Sequence, residues 1–167
     1  MLVYKMLLLI LLIIFTLGIG FVVSGYTGAV WVPTRAKDLS VLANHLSLTS
    51  QTRVVEFGSG DGRFLQYAAA QGATAIGYEI NPLLWLLARI RCWKYRKVSV
   101  KLTNAWNQSF RKADVAFAFL MPEFMGRLEA KFERELKPGT IVIAYIFPFP
   151  GKKPYLVVNN CHFYRWQ

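Results

Sequence analysis

The chain has 167 residues, of which 54% are hydrophobic and 17% charged, with 20 lysines and arginines against 9 aspartates and glutamates. This composition excludes a disordered or low-complexity protein, because such chains are poor in aliphatic and aromatic residues. Residues 1–33 hold 24 hydrophobic residues and a single charge, Lys5. We therefore divide the chain into a membrane anchor with its linker at 1–33 and one basic globular domain at 34–167.

Residues 6–23 form an uncharged run of 18 residues, and no charge follows before Arg35. As a helix rising about 1.5 Å per residue, this run and its uncharged flank to Gly28 can cross a hydrocarbon core of about 30 Å. A cleaved secretory signal is the alternative, but its apolar region normally has only about 7–15 residues. We therefore expect one transmembrane helix. Basic residues lie on both sides of it, Lys5 before and Arg35 and Lys37 after, so the charges give only a weak bias for its orientation in the membrane.

Helices and short strands alternate through the rest of the chain. The predicted helices are 38–46, 63–71, 82–95 and 122–136. The predicted strands are 53–57, 73–80, 98–102, 114–119 and 140–147, followed by a pair at 155–158 and 162–166 around an Asn-Asn turn. This alternation predicts an α/β fold, a compact, doubly wound, Rossmann-like sheet with a C-terminal β-hairpin, preceded by one N-terminal transmembrane helix.

A glycine-rich turn follows the first predicted strand, where residues 54–63 read VVEFGSGDGR. Its alternate glycines let the backbone turn tightly and approach a ligand, and the helix that follows offers free N–H groups. Arg63 stands where the dinucleotide-binding pattern G-x-G-x-x-G needs a small residue. The turn instead resembles motif I of class I S-adenosylmethionine-dependent methyltransferases, which implies that the sheet is a compact Rossmann-like class I methyltransferase sheet.

Glu79 lies near the end of the second predicted strand, 17 residues after Gly62. In doubly wound nucleoside-binding folds, an acidic residue about 20 residues beyond the glycine turn accepts the ribose hydroxyls. A solvated charge at a strand end is the alternative. Because the residue follows a glycine-rich turn in the expected order of strands, we favour ribose binding.

Further segments resemble one family, the small membrane-anchored lysine methyltransferases. The segments are EFGSGDGR at 56–63, GYEINP at 77–82, EREL at 133–136 and FPFP at 147–150. Eukaryotic members of that family modify the ATP synthase c-subunit and the adenine nucleotide translocase in mitochondria, and it has prokaryotic relatives. Residues 32–34 (VPT) are similar to the segment that the family places before its first helix, although Trp31 replaces the usual tyrosine. The likeness covers about residues 30–167.

This resemblance implies S-adenosyl-L-methionine as the cofactor and a protein lysine as the acceptor. The expected cofactor-binding residues are Trp31, Pro33, Thr34, Glu56, Gly58, Ser59, Gly60, Asp61, Gly62, Glu79, Ile80, Asn81, Asn104, Ala105 and Leu120. Asn104 stands where an acidic residue often contacts the adenine. Residues 119–123 (FLMPE) lack the Asn/Asp-Pro-Pro-Tyr motif of enzymes that methylate amides and adenine, which argues against DNA adenine or glutamine as the acceptor.

A lysine acceptor must be neutral, and an apolar channel lowers the pKa of its amine. Phe147 and Phe149, with Trp31 and Trp166, are candidates to line this channel and to hold a methylated ammonium by cation–π attraction. Glu123, after the fourth strand, is a candidate to orient the amine or take its proton. The alternatives are core packing for the aromatic residues and, for Glu123, a first-turn acid stabilised by the helix dipole.

No metal site is expected, because His45 and His162 are isolated and Cys92 and Cys161 lack paired spacing. Two unpaired cysteines suit a reducing compartment.

Eight basic residues and no acid lie between positions 82 and 113. A solvated face is the usual explanation, and attraction to anionic headgroups is the alternative near a bilayer. Nucleic acid is not expected as a partner, because no recognised binding module accompanies the charge.

We expect a single-pass membrane enzyme that methylates an accessible lysine of a membrane protein, with its catalytic domain on the cytoplasmic side or the matrix side of a mitochondrial inner membrane. A methyltransferase of a lipid headgroup or other small amine, or a cofactor-binding adaptor without turnover, is the alternative.

Overall fold

The computed structural model describes residues 1, 3–12, 18, 25 and 32–167. Residues 3–12 are helical. Much of the predicted membrane segment at 6–23 lies outside the described residues, as does Trp31. A search of the described residues finds no helix that is both long and apolar enough to cross a membrane.

Four helices and seven strands make up the described domain. The helices are α1 (Ala36–His45), α2 (Arg63–Ala70), α3 (Pro82–Cys92) and α4 (Pro122–Glu135), with a short 3-10 helix at Ala105–Asn107. The strands are β1 (Arg53–Phe57), β2 (Thr74–Glu79), β3 (Val98–Leu102), β4 (Val115–Ala118), β5 (Ile141–Tyr145), β6 (Leu156–Val158) and β7 (Cys161–Arg165).

The strands form one sheet in the order β3-β2-β1-β4-β5-β7-β6. The first five are parallel, and β7 pairs antiparallel with both β5 and β6. The predicted α/β sheet with a C-terminal hairpin is confirmed. Since the chain moves outward from β1 to β3 and then returns to place β4 on the other side of β1, the direction of strand order reverses between β1 and β4. Open α/β sheets bind ligands at the carboxyl ends of the strands beside such a reversal.

Two hydrophobic clusters pack against the sheet, and neighbouring residues of β1 and β4 belong to different clusters. Val54 and Phe117 pack with helices α1 and α2, whereas Val55 and Ala116 pack with helix α4. Successive side chains of a strand point to opposite faces, so helices cover both faces of the sheet. This double layer leaves the carboxyl edge of the parallel strands open for the site.

Strand β5 ends two residues earlier than the predicted 140–147. Ile146 has a φ of 69°, an outlier for a β-branched residue, and this turns the chain out of the sheet. The Phe147 N–H donates to the Tyr145 carbonyl oxygen at 3.0 Å, and the Ile146 N–H donates to the Asn160 carbonyl oxygen at 2.7 Å. The turn therefore directs Phe147 away from the strand at the carboxyl edge.

Candidate active site

The glycine-rich turn after β1 is held by its own backbone and by the helix behind it. The Gly62 N–H donates to the Ser59 carbonyl oxygen at 2.8 Å. Gly62 has a φ of 79°, and a Cβ atom there would lie 2.9 Å from the Cβ of Ala88 in helix α3. Only glycine permits both this conformation and this approach. The turn is therefore packed tightly between helices α2 and α3.

Glu79, at the end of β2, is bonded to the glycine turn and to the start of α3. Its Oε2 accepts a hydrogen bond of 2.7 Å from the Gly60 N–H, and its Oε1 accepts from Ile80 N–H at 2.9 Å and Asn81 N–H at 2.8 Å. The side chain is buried. Burial raises the pKa of this carboxyl, while the three backbone hydrogen bonds act in the opposite direction.

Two narrow clefts meet at Gly58 and Glu79, which line both of them. The first has a volume of about 40 Å³ and the second about 10 Å³. The first is lined by Val32, Pro33, Thr34, Glu56, Gly58, Ser59, Gly60, Asp61, Arg63, Phe64, Glu79, Leu84, Phe117 and Phe119. The second is lined by Phe57, Gly58, Tyr78, Glu79, Ile80, Thr103, Asn104, Ala105 and Trp106.

Three buried carboxyl groups line the first cleft, those of Glu56, Asp61 and Glu79. Asp61 accepts hydrogen bonds from Arg63 Nε at 2.9 Å and Arg91 Nη2 at 2.8 Å. Among the described residues, no cation pairs with Glu56 and its Oε2 has no hydrogen-bond partner. Burial first, and then the nearby charges of Glu79 and Asp61, hold the pKa of Glu56 well above its usual range. The cleft is thus suited to a cationic ligand.

The second cleft is mostly apolar and lies between the ends of β2 and β3. The side-chain oxygen of Asn104, Oδ1, is already used within the protein, because it accepts a hydrogen bond from Trp106 N–H at 3.0 Å. The Trp106 ring meets the edge of Phe57 at 4.7 Å between centroids. A flat, apolar group with a polar substituent fits such a slot.

The structure brings together most of the predicted cofactor-binding residues. Those in the first cleft are Pro33, Thr34, Glu56, Gly58, Ser59, Gly60, Asp61 and Glu79. Those in the second are Ile80, Asn104 and Ala105, with Gly58 and Glu79 shared.

Three predicted cofactor-binding residues line neither cleft. Gly62 faces Ala88 of helix α3. Asn81 caps helix α3, where its Oδ1 accepts from the N–H groups of Leu83 and Leu84 at 2.9 and 3.3 Å. Leu120 is buried in the α4 core. In the structure these three residues contribute to helix packing, helix capping and core burial, in that order.

The predicted catalytic residues lie in three different environments. Phe147 is half-buried, and its ring lies 6.5 Å from that of Phe119 in the first cleft. Phe149 is buried: its ring packs against Trp166 at 5.5 Å between centroids, and its N–H donates to Tyr164 Oη at 3.0 Å. Trp166 is buried in the same core. Glu123 is exposed in the first turn of α4 and lines neither cleft.

Sequence reasoning missed several residues of the first cleft, including Arg63, Phe117 and Phe119. Phe117 belongs to β4 and Phe119 follows its last residue. Ligands bind at the carboxyl ends of strands beside a reversal of strand order. Because these two phenylalanines lie at the carboxyl end of the predicted fourth strand, they could have been predicted as site residues from the sequence.

Comparisons with known proteins agree with this geometry. Residues 56–156 match the model of a family described as the ANTKMT methyltransferase domain. The chain belongs to this family. The resemblance inferred from the sequence motifs is therefore confirmed.

Named relatives include the ATP synthase c-subunit lysine N-methyltransferase of Homo sapiens, 35% identical over 74% of this chain and 54% of the relative. The adenine nucleotide translocase lysine N-methyltransferase of Mus musculus is 36% identical over 65% of this chain and 49% of the relative. The chain thus spans about half the length of these relatives. A protein-lysine N-methyltransferase of Saccharolobus islandicus is 30% identical over 77% of this chain and 83% of the relative.

Among solved structures, an RNA methyltransferase of Salinibacter ruber in complex with S-adenosyl-L-homocysteine superposes with a TM-score of 0.74. The two sequences are 26% identical, and the superposition covers 81% of this chain and 92% of the solved chain. The class I methyltransferase fold implied by the resemblance of residues 54–63 to motif I is therefore confirmed for the domain of this family member.

Proposed function

We propose that this chain is an S-adenosyl-L-methionine-dependent protein-lysine N-methyltransferase that acts on a membrane protein near the bilayer. The observation that carries the proposal is the first cleft, in which a glycine-rich turn is combined with three buried carboxyl groups. The names of the relatives in the same family give the reaction class, since they are lysine N-methyltransferases.

The charge of the cleft favours this cofactor over a dinucleotide. A pyrophosphate beside Glu56 and Glu79 would bring like charges together in a poorly solvated site. S-adenosyl-L-methionine supplies a methyl group on a positively charged sulfur and also carries an ammonium group. Either cation would offset the burial of the Glu56 carboxylate, and the ammonium would also donate a hydrogen bond to its unpaired Oε2. The buried Ser59 hydroxyl, which has no partner among the described residues, offers a further polar contact.

Glu79 is the proposed ribose-binding residue. A carboxylate offers about four acceptor positions, and three of those of Glu79 are used by backbone N–H groups. Within the part of the chain that the structure describes, Oε2 accepts a hydrogen bond only from the Gly60 N–H, so it has room for one ribose hydroxyl. Ile80, Asn104 and Ala105, in the second cleft beside Glu79, would then contact the adenine.

The acceptor side of the proposal rests on aromatic residues at the carboxyl edge. Phe117 and Phe119 line the first cleft, and Phe147 packs behind Phe119. An apolar wall of this kind disfavours the charged form of an entering lysine and so lowers the pKa of its amine, which a nucleophile requires. Glu123 stays a prediction as the group that orients the amine.

We further propose that residues 1–33 anchor the enzyme as a single-pass protein, with the domain on the cytoplasmic side or the matrix side of a mitochondrial inner membrane. Support comes from the uncharged run at 6–23 and from relatives whose names specify the ATP synthase c-subunit and the adenine nucleotide translocase. An anchored enzyme is confined to the plane in which such a substrate lies.

The test uses the full chain, membranes and S-adenosyl-L-methionine labelled on its methyl group. After the reaction, protein and lipid are separated, and we expect the label in protein. Label in the lipid fraction alone would identify a headgroup amine as acceptor and reject the lysine proposal. Glu79→Ala serves as the inactive variant, and Glu133→Gln, with a half-exposed carboxylate bonded to Lys152, serves as the matched control.

A further inference from the structure

Helix α3 carries apolar side chains on two opposite faces. Leu84, Ala88 and Cys92 recur every four residues and are buried. Leu86, Ile90 and Trp93 follow the same helical spacing on the opposite side, and their exposed fractions are 47%, 59% and 81%. A surface helix normally places polar residues on its outward face, whereas a helix that is apolar all round is normally covered. We call Leu86, Ile90 and Trp93 the outer face of α3.

Exposed basic residues lie on α3 and in the segment that follows it. They are Arg89, Lys94, Arg96, Lys97 and Lys101, of which Arg89 and Arg96 line a cleft with Trp93, and no acidic residue occurs between positions 82 and 113. A basic cleft of about 340 Å³ lies beside Trp93, and its lining includes Arg89, Arg96 and Ser99. The combination is an apolar centre with a basic rim and a recess that can hold an anionic group.

We propose that the outer face of α3 docks onto the surface of an anionic lipid bilayer. Leucine, isoleucine and tryptophan side chains enter the boundary between headgroups and acyl chains, and basic residues around them pair with lipid phosphates. A nucleic-acid interface is polar and charged throughout, so it gives no reason to expose three large apolar residues in the centre of the basic field. Charge complementarity and the apolar centre together favour the bilayer.

Contacts within the domain link this docking face to the cleft. Helix α3 begins beside Glu79, and on the same helix the side chain of Arg91 binds both the carbonyl oxygen and the carboxylate of Asp61 at 2.7 and 2.8 Å. Ala88 packs against Gly62. A bilayer that holds α3 therefore holds the helix that supports the glycine turn. The proposal adds a lipid-binding surface to the proposed function and does not depend on catalysis.

The test places a polarity-sensitive fluorophore on a cysteine introduced at Ile90 of the full chain, reconstituted in vesicles. Cys92 and Cys161 are buried, and burial raises their thiol pKa values to about 11 and about 12, so the new thiol reacts selectively. Val157→Cys, at another exposed apolar position 52% exposed on β6, is the matched control. The vesicles contain phosphatidylcholine alone or with about one third phosphatidylglycerol.

We expect the label at position 90 to shift its emission to shorter wavelength and to escape an aqueous quencher in anionic vesicles only. The label at 157 should not change. Arg89→Gln with Arg96→Gln should weaken docking about thirty-fold, and about 1 M salt should reverse it. The proposal is overturned if the label stays in water on anionic vesicles, if RNA alone produces the shift, or if the shift follows protein concentration in detergent, which would indicate a second copy of the chain.

Discussion

Gly60 and Glu79 are joined by a hydrogen bond of 2.7 Å from the Gly60 N–H to Oε2 of Glu79. This bond connects the glycine turn after β1 to the end of β2, two adjacent parallel strands. Glu79 thereby shapes the wall between the two clefts in addition to being the proposed ribose ligand. Loss of its carboxylate should disturb both the ligand contact and the turn.

Glu79→Gln should lower the affinity for S-adenosyl-L-methionine about ten- to hundred-fold, the usual range for a hydrogen bond to a charged group. The amide introduces an N–H donor where Oε1 and Oε2 now face backbone N–H groups. Calorimetric titration measures the effect, with Glu133→Gln as control. Unchanged affinity in Glu79→Gln would remove Glu79 from the ribose site.

Glu56→Gln should stabilise the protein without cofactor at pH 7.5 and leave stability nearly unchanged at pH 4. The folded state raises the pKa of Glu56 above 4.5, mainly by burial, so the native carboxyl keeps its proton longer than the unfolded one. The resulting loss of stability is absent below pH 4.5 and grows as the pH rises through the folded-state pKa. The side-chain amide in Glu56→Gln does not ionise, so this loss of stability does not occur in the variant.

Thermal unfolding at the two pH values measures this difference. Glu56→Gln should raise Tm at pH 7.5, since about 1 kcal/mol of stability corresponds to a few degrees in Tm for a domain of this size. The same variant should bind S-adenosyl-L-methionine more weakly, because a cation loses its carboxylate partner. A variant that is less stable at pH 7.5 and binds normally would show that Glu56 serves the fold and not the ligand.

Gly62→Ala should destabilise the domain more than Gly139→Ala. Both glycines have positive φ values, 79° and 89°, and each substitution costs about 1–2 kcal/mol for that conformation. A Cβ at position 62 also meets Ala88 at 2.9 Å, whereas position 139 is open, so Gly62→Ala adds about 1–3 kcal/mol of overpacking.

Chemical denaturation compares both variants with Ala88→Gly alone and with Gly62→Ala combined with Ala88→Gly. Ala88→Gly alone measures the cost of glycine inside a helix, about 1 kcal/mol. After that cost is subtracted, the double variant should recover only part of the overpacking, because the Ala88 Cβ is gone but its Cα would still lie 3.0 Å from the new Cβ. Equal destabilisation of the Gly62 and Gly139 variants would contradict this prediction, because it would mean that helix α3 can move away from the new Cβ at position 62 with no loss of stability.

Tyr145→Phe should destabilise the domain by about 1–3 kcal/mol, because it deprives a buried carboxylate of a donor. Tyr145 Oη donates to Asp38 at 2.5 Å, and Asn160 Nδ2 donates to the same oxygen at 3.0 Å. Burial acts to raise the pKa of Asp38, but these two hydrogen bonds and the charges of Lys37 and Arg35 outweigh it and lower the pKa.

The sign of the pH dependence follows from that lowered pKa. The contribution of Asp38 is complete above its unfolded value of 3.8 and is lost as the pH falls through the folded-state pKa. Urea unfolding should therefore show a constant deficit in Tyr145→Phe at neutral pH that shrinks in strong acid. Tyr155→Phe, at an exposed tyrosine, is the control and should match the unsubstituted protein.

Sequence patterns predicted which residues lie at the carboxyl edge but not which way each side chain points. Strands 53–57 and 98–102 have the predicted bounds, and most of the expected cofactor residues meet in two adjoining clefts. Phe119 and Leu120 are adjacent, yet the first lines a cleft and the second is buried in the α4 core. A shift of one residue in register exchanges the two faces, and the sequence alone leaves that register open.

The turn at Ile146 could not be predicted for a different reason. Local propensity disfavours a positive φ at a β-branched residue, so the sequence favours continuing the strand through 147. The hydrogen bond from Ile146 N–H to the Asn160 carbonyl oxygen, a contact between distant parts of the chain, holds this conformation in place. The same turn decides the position of Phe147, whereas Phe149 joins the core with Trp166.

The most direct test of the proposed reaction is mass spectrometry of tryptic peptides from a membrane fraction incubated with S-adenosyl-L-methionine and the full chain. We expect new methyl groups on lysine side chains of a membrane protein with the unsubstituted enzyme and with Glu133→Gln, and none with Glu79→Ala. Methylation of another side chain or of lipid alone, or lysine methylation that Glu79→Ala leaves intact, would contradict the proposed lysine methyltransferase and its cofactor site.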